Sequence, residues 1–226
     1  MDIGKSFGFM FKDESWISRI LVGGLLGLVP ILNFVIYGYM LEVIKNVSED
    51  QELPLPTWDD FGGKFMKGLM VVIAGFIYSL PLIVVWVVYF IAVMVIGGAA
   101  SSREGMSEAG GGLFFVCTIA FYCIVFIYSI VVYLFIMYPG LMRYADSGEF
   151  GVFFRFGENF KLATANLGQY IVMLLVMLVA GLVAGIVGSL ACGVGVIFTS
   201  FWVLLVAGHL FGQYWKQNRQ VVEAYA

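Results

Sequence analysis

Charge is scarce in this sequence. Of 226 residues only 12% are Asp, Glu, Lys or Arg, about half the share of an ordinary soluble domain. Cysteine occurs three times and histidine once. Three cysteines cannot all pair, and Cys117 and Cys123 lie inside an apolar run. They read as small buried hydrophobes, with neither a disulfide framework nor a metal-ligand spacing. Lys plus Arg is 12 against 15 Asp plus Glu, with no basic block, which argues against nucleic acid as a partner. The short motifs of zinc peptidases, serine hydrolases and phosphate loops are missing. Gly110-Gly111-Gly112 leads into an apolar helix with no nearby Lys, so it makes no phosphate cradle. Asp59 and Asp60 are adjacent carboxylates, but a place in the first turn of a helix accounts for them. No catalytic residue, metal site or cofactor is assigned, and an enzyme is not expected.

What is present is apolar. Hydrophobic residues make up 62% of the chain and aromatics 17%, with a mean hydropathy of +0.98. So few charges could not solubilise that surface, and disordered chains are poor in these residue types. The expected class is an all-α integral membrane protein, a single membrane domain over 1–226. Four apolar runs stand out: 17–46 with Pro30 and Asn33, 68–98 with Pro81, 113–138, and 167–215. The last is too long for one crossing of about 20 residues, and Cys192-Gly193-Val194-Gly195 divides it into spans over 167–189 and 196–215. Asp2, Asp13 and Glu14 precede the first run and no small-residue cleavage site follows, so that run is expected to be retained.

Three connecting stretches carry an aromatic stripe at helical spacing opposite charge, as helices lying in a membrane interface do. They are 2–12 (Ile3, Phe7, Met10, Phe11), 57–67 (Trp58, Phe61, Phe65) and 149–166 (Phe153, Phe156, Phe160). Thr57 to Asp60 has capping-box spacing, repeated at Asp146 and Glu149. Before it, Leu53-Pro54-Leu55-Pro56 reads as a stiff extended spacer. Trp16, Trp58, Phe61 and Phe65 are the expected interfacial anchors.

Counting cations chooses between two topologies. If 17–46 crosses once, there are five spans and the 12 Lys and Arg divide 4 against 8. If it turns back at Pro30-Ile31-Leu32-Asn33, they divide 1 against 11, with only Arg103 on the minority face. The strong bias of cytoplasmic loops towards Lys and Arg favours the second. The expectation is therefore a re-entrant hairpin plus four transmembrane helices, in the cell membrane with both termini cytoplasmic; five spans is the alternative.

Small residues four apart let helices approach closely in lipid. Gly181 with Gly185, Gly208 with Gly212, and Gly23 with Gly27 have that spacing, read first as packing within the chain and second as a homo-oligomer contact. Intramembrane ionisable residues are the usual functional pointers, and only His209 qualifies, with Gln213 one turn on. A structural hydrogen bond accounts for it; ligation of a haem or chlorin metal is the sharper alternative.

Several of these segments also resemble a known family. Phe11-Lys12-Asp13-Glu14-Ser15-Trp16, Gly23-Gly24, Pro30 and Gly38-Tyr39 form one group. Leu53-Pro54-Leu55-Pro56-Thr57-Trp58-Asp59-Asp60-Phe61-Gly62 with Gly68, and Gly208-His209-Leu210-Phe211-Gly212-Gln213, complete it. Together they resemble the domain of unknown function 4013, strongly through residue 68 and generically beyond. The resemblance implies a bacterial or archaeal multispan membrane protein. The expected function is a scaffold, accessory subunit or membrane-shaping protein, self-associating or bound to a membrane-complex partner within the lipid bilayer. The alternative is a transporter or channel for small apolar or lipid-like solutes, passing Tyr78, Ser79, Tyr122 and Tyr128.

Overall fold

A computed structural model describes residues 1–100, 108–190 and 193–223, and every regular element among them is helical. Arg103 and Cys192 lie outside the described residues. In order come α1 (Ile3–Gly8), α2 (Trp16–Leu28), α3 (Asn33–Ser48), α4 (Phe61–Ala100), α5 (Glu108–Val132) and α6 (Tyr138–Ser147). They are followed by α7 (Phe156–Ala165), α8 (Leu167–Leu190), α9 (Val194–Asn218) and α10 (Gln220–Glu223). A π-helical turn over Tyr133–Met137 joins α5 to α6. Among the described residues four helices are long and apolar enough to span a membrane: Phe61–Val95, Phe114–Ser147, Leu167–Leu190 and Val194–Asn218.

The run 17–46 is two helices. Val29–Leu32 separate α2 from α3, because Pro30 has no amide to continue the first and disfavours helical geometry before it. The expected helix over 57–67 does not exist as a separate element. Residues 61–67 are the first turns of α4, and Asp60 caps it by accepting from the Gly63 amide at 3.0 Å. Thr57 is not the cap, since the chain is still extended where the prolines hold it. Asp146 likewise lies near the end of α6, which closes at Gly148 with a left-handed φ of 69°. The stretch 2–12 divides into α1 and a 3-10 turn over Phe9–Lys12. The stretch 149–166 divides into a 3-10 turn over Phe150–Phe154 and α7. Asn159 forces that second break, its Nδ2 donating back to the Val152 and Phe153 carbonyls at 3.0 and 3.2 Å. Phe153 is consequently buried, whereas Phe156 and Phe160 stay exposed.

Residues 1–73 and 135–226 form one compact unit, and 74–134 a second. The first is built around α9, of whose apolar window 44% is buried, against 22% for α8. The α8 helix runs antiparallel to α9, from Tyr170 beside Tyr214 (ring centroids 5.2 Å apart) to Gly188 beside Val196 and Thr199. Another face of α9 carries α2 and α3. Phe201 and Phe198 fill the places of the absent side chains of Gly23 and Gly24, while Gly208 and Gly212 receive Met40, Val43, Ile44 and Val47. Both ends of the α2–α3 hairpin lie towards the C-terminal end of α9. The α3 arm passes Gly208 at Met40 and Gly212 at Val47 and ends where Lys216 pairs with Asp50, while α2 runs the other way, from Phe201 beside Gly23 to Phe198 beside Gly24.

The second unit is a helical hairpin. Tyr89 stacks on Phe121 at 4.1 Å, Trp86 meets Phe121 edge-on at 5.0 Å, and the Tyr128 hydroxyl donates to the Tyr78 carbonyl at 2.7 Å. Pro81 has no amide for the Ile77 carbonyl four residues back, and Tyr128 bonds to the neighbouring carbonyl of that turn. Val84, Val88, Val95, Val116, Phe126 and Ile127 point outward, each more than three-fifths exposed.

Candidate functional site

The base of the α2–α3 hairpin is a polar collar, and its opposite end borders a half-open apolar cavity. The collar begins with the proline segment. Proline offers the backbone only a carbonyl, and three successive carbonyls are taken by side chains of the hairpin. Asn46 Nδ2 donates to Pro54 at 3.1 Å, Arg19 to Leu55, and the Tyr39 hydroxyl to Pro56 at 2.7 Å. Pro54, Leu55 and Pro56 are buried beneath these contacts. The spacer expected from the prolines is thus a strap across the two arms. Burial pushes the Tyr39 phenol up, so it remains a donor throughout the physiological range.

Arg19 also pairs with Asp13 at 2.8 Å. Burial pushes the Asp13 carboxyl up, but two hydrogen bonds from Ser15 and the charge of Arg19 outweigh it and hold it below the usual range. One helix further, Glu42 accepts from Lys64 at 2.9 Å and from Lys67 at 3.1 Å. The Lys64 side chain is only 3% exposed, and Glu42 is the partner that accompanies it into that burial. Arg143 is held the same way, between Asn159 at 2.9 Å and Glu158.

His209 faces the N-terminus. Its Nδ1 lies 2.9 Å from the Ser6 hydroxyl and 2.8 Å from Gln213 Nε2, and its ring packs on Phe9 with centroids 4.4 Å apart. Gln213 Nε2 reaches the Asp2 carbonyl and Ser6 Oγ as well, at 3.0 and 2.9 Å. These contacts latch α1 to α9. Replacing Ser6 with Ala removes the hydroxyl from that cluster, so a loss of about 1 kcal/mol is expected. Hydrogen exchange should show faster amide exchange over residues 3–10, with α8 unchanged.

The cavity lies between α2, α3 and the first half of α9, with a volume of about 410 Å³. Gly23, Gly24, Gly27, Asn33, Tyr37, Ser200 and Phe201 contribute to its wall. Asn33 Oδ1 is buried and accepts no hydrogen bond. The proline break makes this residue the first of α3, on the cavity wall. Sequence reading connected Asn33 only with the turn.

The expected anchors are dispersed. Trp16 meets Phe11 edge-on at 4.8 Å, and Phe65 packs near Phe34 at 5.8 Å. Phe61 is exposed at the start of α4. Trp58 lies against Tyr39 at 4.3 Å and Phe201 at 6.0 Å, with its buried Nε1 unpartnered. The glycine pairs also differ. Gly208 and Gly212 are packed against α3, whereas a side chain at Gly181 or Gly185 meets nothing within 4 Å. Among the described residues, no three of His, Cys, Asp and Glu gather as metal ligands.

Four long apolar helices with lipid-compatible faces, and charges gathered into a collar, define an all-helical membrane protein. Within that class the chain belongs to the family described as "Protein of unknown function (DUF4013)", whose model matches residues 22–193. The match runs from within α2 through the proline strap to the end of α8, and stops before α9. No curated protein and no solved structure matches the chain.

Proposed function

We propose that this protein is a non-enzymatic membrane scaffold or accessory subunit that inserts α2–α3 as a re-entrant hairpin from the cytoplasmic side and self-associates through its apolar faces. The observation that carries this reading is the hairpin's polarity. Its ends return to one end of α9, while Leu25, Leu28, Val29 and Ile31 at the tip are exposed. The arms of 13 and 16 residues measure about 20 and 24 Å at 1.5 Å per residue. Both fall short of a hydrocarbon core of about 30 Å. Exposed Phe156 and Phe160 extend the apolar surface beside the collar. Such an arrangement adds volume to one leaflet more than the other, which is the basis for a membrane-shaping role. Open space over Gly181 and Gly185 supports self-association along α8.

Single cysteines at positions 2, 31 and 50 test the topology in inside-out and right-side-out vesicles. Positions 2 and 50 are expected to label only from the cytoplasmic face, with 31 shielded by lipid from both. Labelling of 2 and 50 from opposite faces overturns it. Disulfide crosslinking of a cysteine at 181 between copies tests the contact.

The transport alternative loses part of its polar path. The Ser79 hydroxyl donates to the Phe76 carbonyl at 2.7 Å, Tyr128 is spent on Tyr78, and Tyr122 faces outward.

A further inference from the structure

A separate recess in the collar has two walls of opposite charge. We infer that it binds the headgroup of a phosphatidylethanolamine-type lipid, with the ammonium at the end of α6 and the phosphate at Lys45 and Lys67. This site goes beyond the scaffold reading and shares with it only the placing of the collar at a membrane surface.

The recess has a volume of about 150 Å³ and lies between α3, the first turns of α4 and the end of α6. Sites that enclose whole small molecules have roughly 300–1,000 Å³, so this one suits a headgroup whose remainder stays outside. Four of its nine lining residues are charged: Glu42, Lys45, Lys67 and Asp146. On the α3–α4 side one carboxylate serves two ammonium groups, Glu42 holding Lys64 at 2.9 Å and Lys67 at 3.1 Å. Lys45 adds a third cation, whose pair with Glu49 is stretched to 3.9 Å. Positive charge is left over on that wall.

The α6 side is the reverse. Asp146 is exposed and makes no ion pair among the described residues. Gly148 ends the helix by donating to the Tyr144 carbonyl at 2.9 Å. The next three carbonyls, of Ala145, Asp146 and Ser147, accept no backbone amide. All three residues line the recess, and the negative end of the helix dipole adds to the Asp146 charge.

A simple cation or anion answers only one wall, whereas a zwitterion answers both. A primary ammonium brings three N–H donors for a carboxylate and helix-end carbonyls; a trimethylammonium is bulkier and brings none. A phosphate diester accepts charge-assisted bonds from lysines. Leu41 gives the wall an apolar part for the methylenes between the two groups. One apolar span begins at Phe61 and another ends at Ser147, which sets the recess at a membrane surface, among lipid headgroups.

The experiment is native mass spectrometry of the full chain, delipidated in detergent and offered phosphatidylethanolamine, phosphatidylcholine and phosphatidylglycerol with identical acyl chains. Phosphatidylethanolamine is expected to be retained about ten-fold more than either other lipid, as one charge-assisted hydrogen bond accounts for. Asp146→Asn is expected to abolish that preference and leave phosphatidylglycerol unchanged. Lys45→Gln is expected to lower retention of all three lipids about three-fold, since each carries the phosphate. Both side chains are exposed, so both variants are expected to keep the parent unfolding midpoint. If either is destabilised, the three-lipid comparison in the parent still decides. Equal retention of phosphatidylethanolamine and phosphatidylcholine, a preference for phosphatidylglycerol, or a preference that survives Asp146→Asn overturns the assignment. Glycerophosphoethanolamine, the same headgroup without chains, is expected not to compete at the lipid's own concentration. Full displacement by it makes the ligand a soluble zwitterion and overturns the lipid. None of these readouts involves hairpin labelling or crosslinking between copies, so failure of the scaffold reading is distinguished from failure of this site.

Discussion

Gly38→Ala is expected to prevent accumulation of folded protein, although it adds one methyl group. That methyl would lie 1.9 Å from the Lys64 carbonyl oxygen, at the crossing of α3 and the start of α4. One turn away, a methyl on Gly68 would lie 1.7 Å from the Phe34 carbonyl. In both cases the obstacle is backbone, which cannot swing aside as a flexible side chain does, and the helices must separate. Ordinary overpacking costs about 1–3 kcal/mol, and separation of the helices also strains the Glu42–Lys64 pair beside the crossing. A loss of at least about 3 kcal/mol is expected, a large part of the 5–15 kcal/mol typical of a whole fold. Yield of monodisperse protein and the tryptophan-fluorescence unfolding midpoint measure it. Gly62→Ala provides the opposite sign: nothing lies within 4 Å of its added methyl, and alanine gains roughly 0.5–1 kcal/mol over glycine inside a helix.

Removing Glu42 should cost nearly as much by a different route. Glu42→Ala leaves the Lys64 ammonium buried with its 2.9 Å partner gone and deprives Lys67 of its contact at 3.1 Å. Breaking a buried pair by deleting one member typically costs 3–5 kcal/mol, whereas replacing both members by apolar groups is often neutral. The double variant Glu42→Leu, Lys64→Met is therefore expected to recover most of the midpoint lost by Glu42→Ala. Lys67→Ala, which removes a lysine whose side chain is 47% exposed, is expected to shift it by less than about 1 kcal/mol. A double variant as unstable as the single one would show that the charges do more than satisfy each other.

These two sites mark the boundary of what could be read from residue order. The spans were legible because long uncharged runs have few solutions, and the turn at Pro30 because proline removes an amide. Gly208 and Gly212 were legible by spacing and do pack against α3. Gly181 and Gly185 have identical spacing and face open space, since spacing reports that an approach is permitted and not which neighbour makes it. Gly38 and Gly68 lack that spacing, standing singly on different helices, and were marked in the sequence only by the family resemblance. The Glu42–Lys64 pair was equally hidden, because opposite charges on separate helices acquire a relation only when the helices cross. The 57–67 stripe misled for a simpler reason: an apolar period that continues without a breaker extends the next helix instead of forming its own.

The proline strap has a consequence in time. Its donors, at residues 19, 39 and 46, are synthesised before the carbonyls of 54–56 that they hold. The hairpin can thus be tied at its base as soon as residue 56 leaves the ribosome. Its glycine face, however, is covered by Phe198 and Phe201 of α9, residues made long after the strap. The hairpin waits, closed at one end and bare along one side, until α9 arrives. Assembly therefore runs through an intermediate with an uncovered groove, which truncation of the chain before α9 would make permanent.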